Sequence, residues 1–317
     1  MKKIFFLFSI LFLSEITFSQ INLEVTKNNP DPDFIEFHIP FLSLDFSPSN
    51  STFFGDFGMR LKKQKFYTDI EYRIDYLNGL EEYYYSRETP EATSVYYTKS
   101  PKSLFINIGY TIKQDEEETE AHFHLKSSGN VTYYTTAPVT QSDIMMVNLG
   151  FRKGFTWVNC TKKELIFENN GSSSSFTPPL PEQVSTMMDY TYLQVGVSNI
   201  KLGYWEANIE GYGKRKSSRF IMYYTNLLLL INSKIDPIYY GQPIDQSGNN
   251  LLYTKYDLNK SKRSVLGLNI GASMNNISRF GLIMGAEVGY IPGIKGSILS
   301  NLSFTINSKI YFGKLLN

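Results

Sequence analysis

The chain has 317 residues, 15% of them aromatic, with a net charge of +1 and a mean hydropathy of -0.23. Charge so close to neutral implies no bulk attraction to nucleic acid or anionic lipid. The modest hydropathy excludes a bundle of long apolar helices, and Cys160, the only cysteine, excludes an intrachain disulfide.

At the N-terminus, Lys2 and Lys3 precede the apolar run Ile4 to Leu13, and Ser14 to Ser19 lead to Gln20. A positive start, a short apolar stretch and a small-residue cleavage site predict a secretory signal peptide over residues 1–19. The apolar run is too short for a membrane-spanning helix, which needs about 20 residues. Residues 20–317 then form one domain, because no later stretch resembles a linker between two cores.

Alternation with a period of two residues marks the rest of the chain. In Phe66 to Tyr76, Ile70, Tyr72 and Ile74 share one parity, and Asp69, Glu71, Arg73 and Asp75 share the other. A strand sends these sets to opposite faces, whereas a helix would scatter the charges around every side. Similar patterns predict strands over 34–46, 53–62, 66–76, 103–113, 120–134 and 143–152. They continue over 155–167, 190–198, 201–212, 263–274 and 279–291, and from Leu302 to the terminus. Lys153-Gly154 reads as a hairpin turn, and Asp115 to Glu118 as an acidic turn. Segment 213–262 reads as a large loop or lid, giving about twelve strands, or about fourteen if it holds a hairpin. Short turns near 63–65, 114–119, 153–154, 199 and 275–278 fall at one end; longer connections at 78–102, 130–142, 168–188 and 213–262 fall at the other.

Strand lengths of 9 to 13 residues, apolar faces on every strand, aromatics at strand ends and the division into short and long connections together resemble outer-membrane β-barrels. A start at Gln20 resembles mature chains of the Bacteroidota. The implied fold is an all-β, transmembrane, antiparallel up-and-down barrel with apolar side chains towards lipid and polar ones in the lumen. The implied location is the outer membrane of a Gram-negative cell. The last strand, ending near Phe312, is similar to the terminal segment such barrels present to their assembly machinery.

Strand parity then assigns Arg60, Lys62, Asp69, Glu71, Arg73, Asp75, Lys126, Arg152, Glu206, Glu210 and Glu287 to the lumen. Mixed signs on facing strands suit either a charged small-solute pore or an ion-pair network that fills a narrow bore. His122 and His124 point the same way at a spacing that can chelate a metal, but no third ligand accompanies them. No phosphate loop, paired-cysteine motif or nucleophile elbow occurs, so neither an enzyme nor a cofactor is expected. Outer-membrane lipid is the expected surrounding, and the Tyr-rich loop 83–97 is a candidate contact for an envelope protein. The expected function is a small-solute pore. The alternatives are a non-conducting structural or accessory subunit of an outer-membrane complex, and a soluble periplasmic β-protein.

Overall fold

A computed structural model describes residues 22–47, 50–75, 94–95, 102–129, 131–161, 165–167, 183–235, 238–244, 250–258, 264–277, 280–290 and 302–316. Residues 1–19, expected as a signal peptide, and most of loop 83–97 lie outside the described residues. Every regular element among those described is a strand: β1 (Leu23–Asn29), β2 (Asp33–Ser47), β3 (Asn50–Lys63), β4 (Phe66–Asp75), β5 (Ser94–Val95), β6 (Lys102–Ser128), β7 (Val131–Thr161), β8 (Leu165–Phe167), β9 (Gln183–Ile209), β10 (Gly213–Ile235), β11 (Ile238–Ile244), β12 (Asn250–Leu258), β13 (Leu266–Asn275), β14 (Phe280–Tyr290) and β15 (Leu302–Leu316).

Ten of these close into an antiparallel barrel in the order β9-β10-β13-β14-β15-β2-β3-β4-β6-β7, sealed by β7 on β9. β1 lies outside the closed ring and pairs with the far end of β9, Leu23 opposite Ile209. β5, β8, β11 and β12 form a separate four-stranded sheet within the long connections. An all-β barrel is therefore present, with ten closed strands in place of the twelve or fourteen expected.

The difference comes from strand continuity. β7 runs unbroken through 143–152 and on into the stretch expected at 155–167 as far as Thr161, while Leu165–Phe167 belong to β8. Gly154 is no turn there: a Cβ on it would run into the Lys102 carbonyl and Ser103 on β6, so glycine permits a close cross-strand approach. β9 likewise joins 190–198 to 201–212, and the segment read as a loop or lid begins with β10, a full barrel strand. Asp115 to Glu118 lie mid-strand in β6; the reversal comes at Gly129, whose φ of 58° suits a residue without a Cβ.

Length has an architectural consequence. β6 and β7 stay paired from Lys113 opposite Met145 to Ser128 opposite Val131, beyond the point where β4 leaves β6. The hairpin thus extends roughly 50 Å of chain past the rim, at about 3.3 Å per residue. β9 and β10 also overrun, through Ile209 opposite Gly213. The two overhangs, with β1, pack face to face at the short-turn end. Their core is Phe123, Leu125, Val139, Trp205 and Ile209, flanked by Leu23 and Val25.

One face of β7 is apolar on both sides of the rim, but its cover changes. In the barrel, Val147, Leu149 and Phe151 point outward and are exposed; below the rim, Ala137 and Val139 on the same parity are buried by the facing overhang. β6 changes parity at the bulge between Thr111 and Lys113, so Ala121, Phe123 and Leu125 join that face.

Candidate functional site

The barrel interior is divided into two layers. Nearest the short-turn end lies an apolar plug of Phe34, Tyr67, Ile144, Met146, Ile200, Leu202, Phe220, Met222 and Ile277, each at most 6% exposed where hydrophobic packing is complete. Phe220 meets Phe34 edge-on with ring centroids 5.6 Å apart. A plug of this kind is unexpected for a polar lumen. Within the ring, even-numbered residues of β7, of β9 and of β10 as far as Leu230 face inward, but Ile144, Met146, Ile200, Leu202, Phe220 and Met222 near the rim are apolar where Asn148, Gln194, Ser198 and Asn226 deeper in the barrel are polar.

Beyond the plug stands a network of charges. Arg60 on β3 meets Asp69 on β4 at 3.2 Å. On the same two strands Arg73 bridges Asp56 at 3.1 Å and Glu71 at 2.6 Å. Lys309, arriving on β15, binds Glu71 and lies 3.7 Å from Asp56, with only 1% of its side chain exposed. Across the barrel Arg152 on β7 is 3.8 Å from Glu287 on β14, and the Tyr224 hydroxyl donates to Glu287 at 2.7 Å. Asn275 donates to Glu36 at 2.8 Å. Burying ions is costly unless each is paired and hydrogen-bonded, and the alternating strand pattern delivers opposite signs to facing positions here.

Arg60, Asp69, Glu71, Arg73, Arg152 and Glu287 are thus brought together around one interior cavity of about 50 Å³. Lys62 also points inward, near the rim, where it meets Asp31 at 2.5 Å. Asp75 ends β4, and its side chain lies outside the described residues. Three residues are placed elsewhere, because the strands carrying them overrun the barrel. Lys126 is exposed on the β6–β7 overhang, its ammonium 5.3 Å from the Tyr133 ring centroid. Glu206 lies on the β9 overhang, held by Lys214, by Lys216 at 3.6 Å and by the Tyr204 hydroxyl at 2.6 Å. Glu210 is exposed in the turn after β9, where its amide donates to the Asn22 carbonyl at 3.0 Å. The Lys214 ammonium and the Tyr204 hydroxyl hold the Glu206 carboxyl down at about 2.

Sequence reasoning passed over Glu36, Asp56 and Lys309 as site residues. Lys309 has the inward parity of its strand, and Asp56 the same parity as Arg60. Their signs and parities were readable, but their mutual contact required knowing that β15 closes onto β2.

His122 and His124 sit on the overhang, and His124 Nε2 is 3.0 Å from the Ser127 hydroxyl. A different triad, His38, Asp69 and Glu71, places one ligand atom from each within 4.8 Å of the others. Glycine makes that approach possible: Gly58 lies opposite both His38 and Glu71, and a Cβ on it would strike the His38 ring. Both carboxylates already carry cations, however: Arg60 on Asp69, and Arg73 with Lys309 on Glu71. A metal would have to displace them, so the donor set fits an ion-pair network better than a metal centre.

No family model matches the chain, and no curated protein matches it. Among solved structures it is similar to the CymD monoaromatic hydrocarbon channel, over 91% of this chain and 89% of that one, with 6% identity and a TM-score of 0.22. It is also similar to the TodX deltaS2S3 mutant monoaromatic hydrocarbon channel, over 90% and 91% of the two chains, with 8% identity and a TM-score of 0.21. These likenesses are too distant to carry an argument; the barrel rests on its own strand pairing.

Proposed function

We propose that the protein is an integral outer-membrane barrel, secreted through a cleaved leader, that acts as a non-conducting structural or accessory subunit. Support for the membrane comes from the outward face. Ile108, Leu149, Val195, Val197, Leu268 and Ile270 are each between 43% and 56% exposed and form part of a belt around the barrel. Only lipid or another protein would cover so large an apolar surface. The closed ring also leaves no open sheet edge within that belt, as hydrocarbon demands.

The observation that carries the non-conducting reading is the filled interior. Lys309 and Asp56 are at most 1% exposed, and the apolar plug separates their network from the short-turn end. Among the described residues, two interior cavities, of about 50 Å³ each, hold a few water molecules at most. The overhangs stand past the ring at the short-turn end, which this reading places in the periplasm, and a subunit role would be exercised there.

A small-solute pore is the second reading. It is favoured by polar atoms without a hydrogen-bond partner among the described residues, such as Gln194 Oε1 and Asn269 Oδ1, that line the interior cavities. It requires the plug to move aside. Planar-bilayer recordings on folded protein decide between them: a flat baseline is expected, and steady unitary conductance would establish the pore. Cell fractionation together with heat-modifiable gel mobility tests the membrane assignment itself.

A further inference from the structure

Under the rim at the short-turn end, a groove of about 1,400 Å³ runs between the overhangs and the strands β13, β14 and β15. This exceeds the roughly 300–1,000 Å³ of a site for a drug-sized molecule. It exists because β10 continues below Phe220, where its pairing with β13 stops at Asn275. The stretch Lys216 to Arg219 therefore borders open space in place of a neighbouring strand.

The two ends of the groove differ in chemistry. At the upper end Met274, Phe280, Leu282 and Met284 form the wall, and all four belong to the outward apolar belt, between 44% and 62% exposed. At the lower end stand Lys216, Arg219 and Lys314, with His122 and His124. No aspartate or glutamate lines it among the described residues. Arg219 is engaged with β6, donating to Thr119 and to the Glu120 carbonyl at 3.1 and 3.3 Å. Lys216 shares the single carboxylate of Glu206 with Lys214, so two ammonium groups face one negative charge. A surplus of positive charge remains at the mouth.

We infer that this groove binds an anionic phospholipid of the surrounding leaflet, its acyl chain along Phe280, Leu282 and Met284 and its phosphate towards Lys216 and Lys314. The occupant follows from the continuity of the apolar wall with the belt and from the sign of the lower end. A soluble peptide would gain nothing from the first of these. The inference rests on the membrane reading of the barrel, and it makes this rim a point where the overhang and a lipid headgroup meet.

The test uses the full mature chain folded in detergent. It is mixed with equal amounts of phosphatidylglycerol and phosphatidylcholine, stripped of loose lipid, and examined by native mass spectrometry for retained lipid. Each basic residue beside an anionic headgroup is worth about fivefold in affinity, so phosphatidylglycerol should be retained at least tenfold over phosphatidylcholine. Lys216→Gln with Lys314→Gln should bring the two near parity, while Lys153→Gln, exposed on β7 away from the groove, should keep the preference. If the double variant does not fold, Lys314→Gln alone should lower the preference about fivefold. Equal retention of both lipids by a wild-type barrel that shows heat-modifiable mobility would overturn the site and leave the membrane reading intact. Retention of neither lipid by such a barrel, as for a groove made for peptide, would do the same. A mature chain that stays monodisperse without detergent would overturn both.

Discussion

Replacing Lys309 probes whether the interior is as dry as its packing implies. Its ammonium is 1% exposed, binds Glu71 and lies 3.7 Å from Asp56, with Arg73 as the remaining cation on both carboxylates. At an effective dielectric near 20, the 3.7 Å contact with Asp56 alone is worth about 4 kcal/mol before desolvation. Lys309→Met keeps the volume but leaves two buried carboxylates against one guanidinium. Removing one partner of a buried pair costs about 3–5 kcal/mol, and that loss is expected here. Glu71→Gln added to Lys309→Met removes the surplus negative charge and should recover about half of it. The assay is guanidinium titration of the folded barrel in detergent micelles, followed by gel mobility of the folded band. A loss below about 1 kcal/mol for Lys309→Met, within the range of exposed pairs, would refute the reasoning: the interior would then be wet enough to solvate Asp56 and Glu71, and the case for a closed lumen would fail with it.

Three further outcomes are expected. Leu149, 56% exposed at the middle of the outward face of β7, should tolerate Arg in a soluble sheet but lose about 2–4 kcal/mol at the centre of a bilayer; refolding titrations in lipid vesicles distinguish the two. Gly58→Ala places a methyl against the His38 ring and the Ile70 carbonyl, and such overpacking should cost about 1–3 kcal/mol in the same titration; an unchanged midpoint would mean that His38 does not lie over Gly58. Glu206 is held at about 2, against an ordinary 4.5, by Lys214 and the Tyr204 hydroxyl. A carboxylate depressed in the fold stabilises it above the unfolded value and loses that contribution as pH falls towards the folded one. The overhang should therefore weaken between about pH 4.5 and 2, seen as a change in Trp205 emission in a Trp157→Phe background, and Glu206→Gln should flatten this acid limb.

The division between sequence and tertiary structure is clearest along β6 and β7. Alternation sorts side chains onto two faces wherever the backbone is extended, because successive residues of a strand point opposite ways. That local rule is enough to read an all-β chain from the amino-acid sequence, and to set Arg60, Asp69, Glu71, Arg73, Arg152 and Glu287 opposite the apolar faces of their strands. It carries no information about what covers a face. Val147 and Leu149 lie on the same side of β7 as Val139, yet the first two form the outer belt and the third is buried beneath β9. Glu206 keeps the inward parity of its strand and still falls outside the lumen, because β9 outruns the ring, while the bulge between His124 and Lys126 also turns Lys126 to the other side of β6. Where a strand ends is also a question of partners: Gly154 has the composition of a turn, and only the carbonyl of Lys102 across the sheet shows that it is a close contact. Alternation settles which side chains share a face only between bulges, and the bulges of β6 follow from its pairing with β7. Ring closure, the overhangs and the union of Lys309 with Asp56 and Glu71 depend on pairings between distant segments, and these exist only once the chain has folded.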